Sequence, residues 1–149
     1  MTDTLKSKSP EPTEAADADL ALFNGQIQGL VATFRSGERP LTGLAGLLDW
    51  RFQGAISQCL KQGALTGNEG ECVYFPVTRR GTTYHLILAG IGSQAKGAGP
   101  LPAETLRVLK KNLASLKIAN IGFSRSDLGG VSDDYFSKNL KGIPVCVLR

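Results

Sequence analysis

Apolar and polar positions recur along this chain at two periods, and those periods divide it into elements. Between Leu41 and Gly63, residues Leu44, Leu47, Leu48, Phe52, Ala55, Ile56, Cys59 and Leu60 return at steps of three and four, with Arg51, Gln53, Gln58 and Lys61 opposite. That spacing predicts an amphipathic helix closed by Gly63. Leu106, Leu109, Leu113 and Leu116 repeat the helical step, with Arg107, Lys110 and Lys111 between them. Shorter apolar runs read as strands. Cys72–Val77 and Thr82–Ala89 form a pair around the turn Arg79-Arg80-Gly81, and Pro76 confines the first of them to a sheet edge or end. Ala119–Phe123 and Pro144–Leu148 are two further strands, separated by a short helix that Ser132, Asp133 and Asp134 would start and Gly142 would end.

The N-terminal third is less regular. Leu20–Phe23, bounded by Asp19 and Asn24-Gly25, reads as a short first strand, and Ile27–Phe34 as a second strand or an irregular crossing. Residues 1–18 lack aromatic and branched apolar side chains except Leu5, too few to offset the entropy of ordering, so an acidic disordered tail is expected before one domain over 19–149. Within the helices, Trp50 is expected where the helix meets the sheet, and Gly54 where two backbones approach closely. Strands alternating with helices predict a mixed sheet covered by helices.

Composition changes this picture only at the margins. At 149 residues, 42% hydrophobic and 20% charged, the chain has the balance of an ordinary globular domain. No apolar run reaches the roughly 18 residues of a membrane span, and no signal-peptide pattern opens the sequence, so the cytoplasm is the expected location. Cys59, Cys72 and Cys146 have no metal or redox spacing and read as free thiols. The net charge of +4 combines −3 over residues 1–19 with +7 over the remainder, a balance that favours anionic partners. The basic residues lack interleaved aromatics, however, and a solvated face is the plainer reading.

Two glycine-bearing stretches are the candidate sites. Gly90-Ile91-Gly92-Ser93-Gln94-Ala95-Lys96-Gly97-Ala98-Gly99 follows a strand and precedes a helix. Backbone N–H groups at Gly90, Gly92, Ser93, Gly97 and Gly99, with the Lys96 ammonium, would suit a phosphate. Neither the dinucleotide fingerprint nor the P-loop is present. Ser124–Ser132 repeats the strand-to-helix setting, and Arg125, Gly129 and Gly130 could share a crevice with the first loop. His85 is the single histidine, Asp49 has no carboxylate partner, and no serine sits in a nucleophile elbow. No catalytic residue, metal or cofactor is expected.

Leu48-Asp49, Gly54-Ala55, Thr66-Gly67, Gly70-Glu71, Tyr74-Phe75-Pro76 and Leu86–Gly92 occur in an order and spacing that resembles the N-terminal domain of the leucyl (cytosol) aminopeptidases. The resemblance covers residues 40 to 120. It implies a macro-domain-like, three-layer α/β/α sandwich with a mixed sheet, standing alone without the metal-dependent catalytic domain of that family. The function it implies is a non-catalytic binding or assembly module whose partner is another protein or a second copy. The alternatives are a macro-like protein holding a nucleotide or ADP-ribose-type phosphate at Gly90–Gly99, and non-specific nucleic-acid binding by the basic body.

Overall fold

The computed structural model describes residues 13–15, 18–37, 41–93, 99–118 and 120–148. Their elements are, in order, β1 (Thr13–Ala15), α1 (Ala18–Phe23), β2 (Gly29–Ser36), α2 (Gly43–Arg51), α3 (Ala55–Lys61), β3 (Cys72–Arg79), β4 (Thr82–Ser93), α4 (Ala103–Leu116), β5 (Ile121–Ser124), α5 (Asp133–Asn139) and β6 (Val145–Leu148). The strands form one six-stranded sheet in the order β1-β6-β5-β2-β4-β3. Every pairing is parallel except β3 with β4.

Strand composition explains the layering. Central β2, β5 and β6 are buried almost throughout, as parallel strands covered on both faces must be. Alternate residues then face opposite layers. Leu30, Ala32, Phe34, Leu86 and Leu88 pack with Leu44, Leu48, Phe52 and Ile56 of the α2–α3 side. Val31, Ile87, Ala89 and Ile91 pack with Leu109 and Leu113 of α4 and Phe136 of α5. The result is the expected α/β/α sandwich with a mixed sheet.

Several expectations hold and several need correction. Pro76 lies in β3, an edge strand, and the turn to β4 places Arg80 and Gly81 at φ 52° and 78°. The turn expected at Arg79-Arg80-Gly81 is there, with Arg79 ending β3 and Arg80-Gly81 as the two-residue connection. Leu20–Phe23, by contrast, belongs to a helix. Ala21 and Leu22 are buried against the core, which a helix of two turns achieves as well as a strand does. Thr13–Ala15 lies inside the stretch expected to be disordered but pairs with Cys146–Leu148. A strand added to a sheet edge gains main-chain hydrogen bonds without needing large apolar side chains. Residues 1–12, 16 and 17 lie outside the described residues.

The long helix expected from 41 to 63 is two helices. Gln53 and Gly54 take φ 60° and 81°, which breaks the helical ladder between Phe52 and Ala55. Gly54 has open space where a Cβ would sit, so its backbone dihedral, not close packing, accounts for it. Trp50 is 68% exposed, away from the sheet. Ser132 starts α5 without a side-chain cap bond, and Asp133 is paired elsewhere. Among the described residues no helix is long and apolar enough to cross a membrane.

Candidate functional site

The parallel strands β2, β4, β5 and β6 all end on one side of the sheet, where a crevice would be expected. The register sets where each loop leaves it. Val31 pairs with both Ile87 and Phe123, so Ser124, the last residue of β5, is level with Leu88. β4 runs on five residues to Ser93, roughly 16 Å further at about 3.3 Å per residue. The two predicted loops therefore leave the sheet at different heights.

Gly90, Gly92 and Ser93 belong to β4, not to a loop. The Gly90 N–H donates to the Glu71 carbonyl at 2.8 Å, and the Gly92 N–H to the Gly67 carbonyl at 2.9 Å. A Cβ on Gly90 would run into the Asn68 carbonyl oxygen, so glycine here serves the close approach of the 66–71 loop. The Glu71 carboxylate in turn accepts from the N–H groups of Thr66, at 2.9 Å, and Gly67, at 2.6 Å. An anion thus sits against a backbone amide cluster, and it is the chain's own side chain. Buried Thr105 joins this loop to α4: its hydroxyl donates to the Gly90 carbonyl at 2.8 Å and accepts from the Gly70 N–H at 2.8 Å. Ser36 Oγ donates to the Gly92 carbonyl at 3.1 Å. Gly99 approaches α4 with open space around it, and Lys96 and Gly97 lie outside the described residues.

The second loop is likewise bound to itself. The Arg125 guanidinium donates to the Val131 carbonyl at 2.6 Å and to the Asp133 carboxylate at 2.5 Å. Gly129 and Gly130 donate their N–H groups to the carbonyls of Ser126, at 3.1 Å, and Arg125, at 2.9 Å. Asp127, in the 3-10 turn Ser126–Leu128, accepts from the Leu44 N–H at 3.0 Å and so caps α2. The structure places Arg125, Gly129 and Gly130 together, in a knot that links β5 to two helix starts.

The remaining polar groups have structural partners. His85 Nδ1 lies 2.5 Å from the Tyr74 hydroxyl, with the rings stacked. Asp49 accepts from Ser57 N–H at 2.9 Å and Oγ at 2.5 Å, bracing α3 against α2. Tyr135 accepts from the Leu101 N–H at 3.1 Å; burial raises its pKa and that hydrogen bond opposes the rise. All three cysteines are free. Burial pushes the Cys72 thiol up to about 11, against a lowering hydrogen bond from Asn112. Among the described residues no group of histidine, cysteine and acidic side chains could hold a metal ion. Sequence reasoning missed Glu71, Thr105 and Asp127, because each acts across a fold contact that local spacing does not show.

The model of the cytosol aminopeptidase family, N-terminal domain, matches residues 29–136. The chain belongs to this family. The matched span runs from β2 into α5 and so includes both loops described above. No curated protein matches in sequence. Among solved structures, the macrodomain of Mycobacterium tuberculosis DarG is similar at a TM-score of 0.63 and 15% identity, over 93% of this chain and 97% of that one. The Thermus aquaticus DarG macrodomain gives 0.64 and 15%, over 92% and 97%. A mutant of tomato leucine aminopeptidase gives 0.57 and 15%, over 96% of this chain and 33% of that one. At such identity these likenesses establish the fold. The domain is thus macro-domain-like.

Proposed function

We propose that this domain is a non-catalytic binding or assembly module acting in the cytoplasm, with another protein or a second copy as its partner. One observation carries the reading. The backbone donors that would hold a phosphate, at Gly90, Gly92, Gly129 and Gly130, donate to carbonyls of the same chain, and the Arg125 guanidinium is held by Asp133 and Val131. An oxyanion arriving there would have to displace bonds already made. The macrodomain likeness supports the alternative, an ADP-ribose-type phosphate at Gly90–Gly99, through the fold alone.

Thermal unfolding with ADP-ribose and with nucleoside mono- and diphosphates separates the two. A ligand at 100 times its Kd would stabilise the domain by about 2.7 kcal/mol. For this size that is roughly 5–11 °C. The expected shift is none, and a dose-dependent rise with ADP-ribose would establish the alternative instead.

A further inference from the structure

The fold assembles an aromatic and basic surface that is dispersed in the sequence. Trp50, at the end of α2, is 68% exposed, and Phe23, at the end of α1, is 39% exposed. The Arg51 guanidinium carbon lies over the Trp50 ring, 4.9 Å from its centroid. From the β3–β4 hairpin, Arg79 lies over Phe52 at 5.5 Å and donates to the Arg51 carbonyl at 3.2 Å. Phe23 meets Phe52 and Tyr84 edge-on, at 6.0 and 5.1 Å, which continues the aromatic surface from α1 to β4. Arg80 is exposed in the adjoining turn. Along the sequence the basic residues lack interleaved aromatics; the tertiary structure interleaves them.

The charge of this surface selects its partner. Beside Trp50, the hairpin presents Arg79 and Arg80, both exposed, and α3 ends in exposed Lys61; the one carboxylate of α2 and α3 is Asp49. Both oxygens of Asp49 are engaged by Ser57. Tryptophan and arginine are the residues that most often dominate binding energy at protein interfaces. Planar guanidinium groups also match carboxylates in a two-pronged geometry. We infer that the Trp50–Arg79–Arg80 surface docks an acidic segment of a partner protein, with an apolar side chain of that segment packed on Trp50 and its carboxylates on Arg79 and Arg80. This rests on the binding-module reading and names the partner's chemistry.

Trp50 is the only tryptophan, so its fluorescence reports occupancy directly. Random peptides displayed on phage are panned on the full chain, and enriched sequences are synthesised and titrated against that fluorescence. The expected result is enrichment of aspartate and glutamate beside an aromatic or branched apolar residue. Trp50→Ala and Arg80→Glu, both at exposed positions, should each weaken those peptides by at least about tenfold while leaving the melting curve unchanged. Enrichment of basic or uncharged sequences, or no enrichment over bare support, would overturn the inference. So would undiminished binding by Trp50→Ala, or a short oligo-uridylate binding Trp50 more tightly than any acidic peptide. The nucleotide melts test the module reading separately, so either can fail without the other.

Discussion

Thr105 shows most plainly how one side chain holds the candidate site closed. Its buried hydroxyl bonds both Gly90 and Gly70, tying α4 to the end of β4 and to the 66–71 loop. Thr105→Val keeps the shape and removes both bonds, leaving a carbonyl and an N–H without that partner. The expected loss is about 1–3 kcal/mol, read as a lowered melting temperature of roughly 2–4 °C per kcal/mol. Cys72 gives a second prediction at this scale. Below pH 9 it is a thiol in the folded and unfolded chain alike. Between pH 9 and about 11 the unfolded chain releases the proton and the folded one does not. Its contribution to stability is therefore present below pH 9 and falls as pH rises through that window. A Cys72→Ala variant should show a shallower decline in denaturant midpoint over the same range. Alkylation of folded Cys72 near pH 8 should be about a hundredfold slower than for an unshifted thiol, because that is the ratio of thiolate.

Among the elements, legibility followed the kind of information each one needs. The hairpin, its turn and α4 were readable because a local pattern and the fold ask for the same thing. Leu20–Phe23 was not, since four apolar residues fit a strand or a helix equally and the choice is made by what Ala21 and Leu22 pack against. The break between α2 and α3 was hidden by the unbroken spacing of Leu48, Phe52, Ala55 and Ile56. Only the backbone shows that Gln53 and Gly54 leave the right-handed region. Because Gly54 has room for a side chain, Gly54→Ala should cost about 1–2 kcal/mol through its dihedral alone, measurable by urea denaturation. Gly54→Asn should cost less, since asparagine tolerates that region. The end of β4 misled for a different reason. Glycines at 90 and 92 signal a loop when read locally, but here they admit a neighbouring loop against a strand.

For the molecule as a whole, the alternation of strands and helices was enough to give the α/β/α layering. The order of strands was not, because parallel pairing joins segments far apart in sequence and no local signal records it. The candidate site was half legible. Arg125, Gly129 and Gly130 stand in one loop in the sequence and in the fold, and Gly90 and Gly92 stand out by residue type, but what they bond to is a property of the fold.

The three residues at Thr13–Ala15 carry a consequence for anyone trimming this protein. They cover the outer side of β6, whose Val145-Cys146-Val147-Leu148 is apolar and buried. A chain shortened to start at Ala18 would leave that strand bare, a row of unanswered amides and carbonyls on a sticky rim. Such a protein should cloud on standing, with light scattering that grows with concentration, while the chain that keeps Thr13–Ala15 stays clear. The same guard explains how a strand this greasy can lie one place in from the sheet's edge without recruiting other chains.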